Sequence, residues 1–303
     1  MKLLNKPFIW AICYSLILIC FTSYVILDVF VIPRAYVIVS DDTSSIADQS
    51  DSSANITTAA NVTATSYQDD NISITITEYR KYDTSIYVAD IYLSSIDYLK
   101  TAFANDTFGR NITQKTSTIA AENDAVLAIN GDFYGAQTKG YVIRNGVIYR
   151  STVADSTNED LVIYEDGSFE IITEGTISAD ELLSNGAKQV LSFGPGLIDD
   201  GEITVTSDAK VDKELTSNPR TAIGMIDDLH YVMIVSDGRT TESTGLSLYQ
   251  LADFMQSLGV TNGYNLDGGG SSTMYFNGEI VNNPTTTGQT ITERSVSDII
   301  YIG

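Results

Sequence analysis

Apolar and polar positions along the chain fall into three patterns, and each predicts a different kind of element. The first is an apolar run from Phe8 to Leu27, preceded by Lys2 and Lys6. Roughly 20 such residues wound as a helix match the thickness of a bilayer core. No small-x-small cleavage site follows, and Ile19 stands where a lipoprotein signal ahead of Cys20 needs a small residue. Residues 1–34 are therefore read as an uncleaved membrane anchor, with a cleaved signal peptide as the alternative. The leading lysines place the N-terminus inside and everything after Pro33 outside the cytoplasm, as a single-pass protein of the cell membrane.

The second pattern is no pattern. From about Ser40 to Ser66 the chain is Ser, Asp, Thr, Asn and Ala without periodicity, which reads as a disordered stalk over 35–66. The third begins near Asn71 and supports one domain over 67–303. "ISITITEYR" and "SIYVADIYLS" alternate with period two and predict strands. "TSTIAAEN" predicts a short helix running into the buried strand "AVLAIN". "YVIRNGVIYR" predicts a hairpin turning at Asn-Gly, and "LVIYEDGSFEII" one turning at Asp-Gly. "SADELLSNG" predicts a helix capped by Ser178 and ended by Gly186. "SLYQLADFMQSLG" carries a Ser247–Gln250 capping box and an apolar face of Leu248, Leu251, Phe254, Met255 and Leu258. Two strands around Asp227-Asp228, the hairpin "TMYFNGEIV" and the final strand "VSDIIYIG" complete an α+β fold. Its sheets are mixed and largely antiparallel, with two or three packed helices.

Composition narrows the function. A net charge of -22 leaves no electrostatic footprint for nucleic acid. The two cysteines, Cys13 and Cys20, lie in the apolar run, so the domain has neither a disulfide framework nor a cysteine zinc site. His230 is the single histidine and sits beside a hairpin turn, which argues against histidine-based triads and metal sites.

Four stretches place polar residues beside glycine at strand ends: "AINGDFYG" with Asn130, "SNPRTAIG" with Arg220, "IVSDGR" with Asp237 and Arg239, and "NLDGGGSS" with Asn265 and Asp267. A rigid sheet holds such residues well for a site. Asn-Gly and Asp-Gly are also ordinary turn pairs, but a two-residue turn needs one glycine, not three. The amides of Gly268, Gly269 and Gly270, flanked by the hydroxyls of Ser271 and Ser272, suit an anion nest. No Walker lysine follows. Beyond Lys213 the only cations besides His230 are Arg220, Arg239 and Arg294. Arginine grips phosphate or carboxylate bidentately; pairing with neighbouring acids is the alternative.

"NGDFYG", "NPRTAIG", "SDGR", "LSLYQLADFMQSLGVTNGYNLDGGGSSTMYFNGEIVNNP" and "ERSVSD" appear in an order that resembles the phosphodiester glycosidase family, from about Asn71 to Gly303. One departure is Asp132, where the family more often has glycine, which makes it a poor candidate for a family-wide catalytic role. The resemblance implies hydrolysis of a sugar-1-phosphodiester, in envelope or exopolysaccharide glycans, at the anomeric carbon. Glycosidases commonly use an acid and a second carboxylate. A phosphate leaving group, with a second pKa of about 6, needs little help from an acid. It needs cations and amides to receive it. On that reading Asp267 and Asp237 are the catalytic carboxylates. Arg220, Arg239, Arg294 and Gly268 to Ser272 hold the phosphate. Asn130 and Asn265 bind sugar hydroxyls or orient the acids. No cofactor is implied, although a divalent cation such as Ca²⁺ is compatible. A non-catalytic glycan-binding or exopolysaccharide-assembly protein and a metal-dependent phosphodiesterase are the alternatives.

Overall fold

A computed structural model describes residues 9–35, 60–209 and 217–303. Most of the predicted stalk lies outside these residues. Its end does not read as a stalk: Asn61–Val62 and Ser66–Gln68 pair with each other, and the latter joins the edge of the main sheet against Ile72–Lys81. The apolar N-terminal run forms a helix over Ile9–Phe30. The predicted membrane span is not supported, because among the described residues no helix is long and apolar enough to cross a membrane.

Three sheets carry the domain, and every strand pairing in them is antiparallel. A nine-stranded sheet has His230–Ser236 at its centre, between Arg220–Asp227 and Thr84–Leu93, with Asn262–Asn265 on the far side of Arg220–Asp227. A five-stranded sheet has Leu127–Asn130 in the middle, between Met274–Phe276 and Asp298–Ile302. A second five-stranded sheet contains Val142–Arg144, Ala187–Leu191 and Glu159–Tyr164. The predicted hairpins are present. Asn145 and Gly146 both take positive φ, of 51° and 77°, as a two-residue turn with matching strand twist requires.

The first two sheets stack face to face. Ile91, Met233, Val235 and Ile223 meet Leu127, Ile129 and Ile300 in one buried cluster. The helix Leu248–Ser257 covers the outer face of the large sheet, with Leu251, Phe254 and Met255 against Val232, Ile234 and Ala222. The helix Thr116–Glu122 covers the opposite outer face through Ile119 and Ala120. Strand His230–Ser236 is therefore buried on both sides, which is why it reads as a continuous apolar run rather than an alternating one. The third sheet packs on the helix Ala179–Ser184 through Ile143, Val162 and Val190. The helix Leu248–Ser257 lies very close to its sheet. A Cβ at Gly224 would meet Val260 at 2.8 Å, and one at Gly263 would meet the Met255 methyl at 2.8 Å.

His230 sits at the hairpin end of its strand, paired with a neighbouring acid. Its Nε2 lies 2.6 Å from Asp90 Oδ1 and its ring stacks on Tyr92.

Both halves of the predicted capping box are made: Gln250 N donates to Ser247 Oγ, and Ser247 N donates to Gln250 Oε1. Ser247→Ala should cost about 1 kcal/mol, and Leu251→Ala, fully buried, about 2–5 kcal/mol. Urea unfolding of the two variants checks the order; equal losses would contradict the packing described.

Candidate active site

Antiparallel register brings the polar strand ends together. Strand Leu127–Asn130 stops at Asn130, which pairs with Ile299 at the start of the last strand. Arg220 pairs with Ser236, and Ala222 pairs with Asn265. Loops 131–137, 237–245 and 266–273 thus leave one end of the stacked sheets.

Asn130 fastens these loops. Its side-chain amide donates to the Asp267 carbonyl at 2.6 Å, and its oxygen accepts from Thr221 Oγ1 at 2.8 Å. It is fully buried, so it works on the backbone rather than on a ligand. Asn265 is also buried, and donates to the Gly194 carbonyl at 2.7 Å. Gly131 is required by close approach: a Cβ there would lie 2.2 Å from Asp298 Oδ1.

Beneath the loops lies a buried cluster of charge. Arg144 Nη2 is 2.8 Å from Asp132 Oδ2 and 2.9 Å from Asp298 Oδ2. The two acids hold the guanidinium's pKa above its ordinary value, against the effect of burial. Asp132 also accepts from Tyr134 N at 3.1 Å and from Ser192 N at 2.9 Å. Burial, together with the charge of Asp132, pushes Asp298 up to about 7, with Arg144 pulling the other way. Burial pushes Asp160 up to about 8. Neither Asp160 oxygen has a hydrogen-bond partner by geometry, because the neighbouring Ser192 hydroxyl donates to the Tyr141 carbonyl at 2.9 Å.

The glycine run also serves the packing of the loop, and part of its backbone is engaged within the fold. Gly269 N donates to Pro219 O, Ser271 N to Gly268 O and Ser272 N to Gly269 O. Those three amides are committed to backbone carbonyls rather than aimed at a ligand. The glycines admit three close neighbours instead. A Cβ on Gly268 would meet Pro219 O at 2.9 Å, one on Gly269 the Arg239 guanidinium at 2.9 Å, and one on Gly270 Thr286 Oγ1 at 2.3 Å. Gly269 also takes a φ of 61°, which favours glycine.

Above the cluster opens a cleft of about 390 Å³. Its walls include Asp132, Phe133, Lys139, Phe193, Asp267 and Arg294. Asp267 is nearly buried. Arg294 is half-exposed, with Nη2 3.9 Å from Asp267 Oδ2, and donates to Ser271 Oγ at 2.8 Å. Of the predicted residues, Asp267 and Arg294 are those on this cleft.

Arg220 and Arg239 do not line this cleft but lie against the glycine loop behind it, and the second carboxylate lines another recess. Arg220 is buried and donates from Nε to the Leu246 carbonyl at 3.0 Å. Arg239 donates to Asn218 Oδ1 at 3.0 Å and to the Thr286 carbonyl at 2.6 Å. Asp237 lines a separate recess of about 290 Å³ with Thr240, Glu242 and Asn283. Its carboxylate accepts from Asn282 Nδ2, Asn283 N, Asn283 Nδ2 and Tyr87 OH. These contacts tie Arg220, Arg239 and Asp237 to the loops around them.

Sequence reasoning passed over Lys139, Phe193 and Arg144, and set Asp132 aside. An arginine in the apolar strand "YVIR" was the available signal, since a charge there must be paired. Among the described residues, no group of three or more His, Cys, Asp or Glu side chains is placed to hold a metal ion.

Comparison with known proteins gives a consistent result. The sequence model of the phosphodiester glycosidase family matches residues 123–303. The chain is 31% identical over 185 residues to the SPbeta prophage-derived uncharacterized protein YomE of Bacillus subtilis, covering 58% of this chain and 28% of that one. It is 30% identical over 175 residues to N-acetylglucosamine-1-phosphodiester alpha-N-acetylglucosaminidase of Mus musculus, covering 52% of this chain and 33% of that one. The aligned region thus spans a third or less of the length of these relatives. Among solved structures, the zebrafish N-acetylglucosamine-1-phosphodiester alpha-N-acetylglucosaminidase catalytic domain, auto-inhibited by its pro-peptide, superposes with a TM-score of 0.60 at 22% identity. That match covers 76% of this chain and 82% of that one. A hypothetical protein from Synechocystis superposes with a TM-score of 0.53 at 16% identity, over 77% of this chain and 62% of that one. Both likenesses are of fold.

The buried acids predict a pH dependence of stability. Asp160 titrates near 3.8 when unfolded and near 8 when folded. Between these values the folded state binds more protons, so stability falls as pH rises from about 4 to about 8 and then levels. The slope approaches about 1.4 kcal/mol per pH unit for one proton. Asp298 adds to it up to a pH of about 7. Asp160→Asn should flatten the profile, as read by urea unfolding at pH 5 and pH 8; an unchanged profile would contradict the assignment.

Proposed function

The chain belongs to the phosphodiester glycosidase family, and from that premise we propose that it hydrolyses a sugar-1-phosphodiester in the cleft lined by Asp267 and Arg294. The observation that carries this reading is the pairing of those two groups. A nearly buried carboxylate stands 3.9 Å from a half-exposed guanidinium on the wall of one cleft. A carboxylate can accept a proton from water or face a developing oxocarbenium ion, while a guanidinium receives departing phosphate.

The bond between the anomeric carbon and the bridging oxygen breaks, and its electron pair leaves on the phosphate monoester. Water supplies the oxygen of the new bond, and Asp267 accepts its proton. Arg294, with Lys139 on the same wall, neutralises the departing phosphate. A phosphate monoester is a weak base, with a second pKa of about 6, so departure needs no strong general acid. Asp237, held by amides in its own recess, takes no part in the step on this reading.

The relatives' names, which specify an α-linked N-acetylglucosamine on a phosphodiester, support the same sugar for this chain. A phosphate-linked envelope or exopolysaccharide glycan is the proposed polymer.

Asp267→Asn should lower release of N-acetylglucosamine from a synthetic 1-phosphodiester by about 10²–10⁴-fold. Arg294→Met should lower kcat by about 10²–10³-fold. Melting temperature serves as the control for folding. Unaltered turnover in Asp267→Asn would sink the reading.

A further inference from the structure

Phe133 is placed against the interest of the fold alone. It has a left-handed backbone, φ 66° and ψ 20°. For a bulky side chain such a conformation is strained. Its ring recovers little of this by burial, because the residue is 41% exposed. The conformation is fixed from both sides. Asp132 is tied to Arg144 and accepts from Tyr134 N, and Gly131 N donates to the Asp298 carbonyl.

A second aromatic residue, Phe193, lines the same cleft and is held by the same anchor. Ser192 N donates to Asp132 Oδ2 at 2.9 Å, and Phe193 N donates to the Tyr264 hydroxyl at 2.9 Å. One buried carboxylate therefore fixes both phenylalanine-bearing loops beside Asp267 and Arg294.

We propose that Phe133 and Phe193 form an aromatic seat for the pyranose ring of the substrate. The inference rests on the glycosidase reading of this cleft and adds what holds the sugar. The charged members suit the phosphate and the anomeric centre. A pyranose also has faces bearing only C–H groups, whose partial positive charge complements the negative face of an aromatic ring. A small set of polar groups beside apolar walls is the usual composition of a ligand site.

The test uses the full chain and two separate probes, N-acetylglucosamine and inorganic phosphate, titrated calorimetrically. Phe133→Gly and Phe193→Ala should each weaken the sugar about tenfold or more, the equivalent of about 1.4 kcal/mol, and leave phosphate unchanged. Phe133→Tyr should retain the sugar. Glycine tolerates the left-handed backbone, so Phe133→Gly should melt no lower than the parent. Equal sugar affinity in both Phe133→Gly and Phe193→Ala would overturn the seat. So would parallel loss of sugar, phosphate and melting temperature in Phe133→Gly, which is the signature of a structural role. Turnover of a 1-phosphodiester by the parent chain separates the two ideas. Turnover with sugar affinity indifferent to both phenylalanines removes the seat and leaves the glycosidase. Sugar affinity that depends on them, without turnover, leaves the seat and removes the glycosidase.

Discussion

The cleft depends on one buried guanidinium. Arg144 belongs to the third sheet, Asp298 to the last strand of the second, and Asp132 to the loop that ends strand Leu127–Asn130. The ion pairs therefore join separate parts of the sheet assembly at the floor of the site. Taking three charges out of water is expensive, and a buried ion pair often contributes little net stability. What it gives here is geometry. Two carboxylates facing one guanidinium leave an uncompensated charge, and burial resolves this by favouring a proton on Asp298 near neutral pH. Asp132, 2.8 Å from the guanidinium, also grips the loops on either side through the amides of Tyr134 and Ser192.

Close packing does the rest. Gly131 makes room for Asp298, and the glycines after Asp267 make room for Pro219, Arg239 and Thr286. The loops carrying Asp267 and Arg239 are locked against each other at distances a Cβ would forbid. A rigid site follows from this tightness, because a carboxylate on a locked loop keeps its position when a ligand arrives.

The architecture was legible because local signals agreed with it. The capping box at Ser247, the Asn145-Gly146 turn and the apolar run of His230–Ser236 each specify their element without tertiary help. Asp267 and Arg294 were also legible, one by the glycines beside it and one by the scarcity of cations. The rest of the site was not. Arg220 and Arg239 donate to backbone carbonyls and Asn218, contacts that a scarcity argument cannot foresee. Asp237 and Asp267 sit in similar strand-end motifs, yet they line different recesses. Asp298 is far from Asp132 and Arg144 in sequence; antiparallel register sets it beside the Asn130 end of the neighbouring strand, and packing of the third sheet brings Arg144 to both acids. The glycine triplet shows the same limit: composition suggested amides free for an anion, and the hydrogen bonds show the Gly269 amide, with those of Ser271 and Ser272 after it, bound to backbone carbonyls.

We propose that the chain breaks a carbon–oxygen bond at the anomeric centre with phosphate as leaving group. Hydrolysis of a sugar-1-phosphodiester in oxygen-18 water, followed by mass spectrometry of both products, tests it most directly. The account predicts the label in the released sugar and none in the phosphate monoester. Label in the phosphate would mean phosphorus–oxygen cleavage and would contradict it.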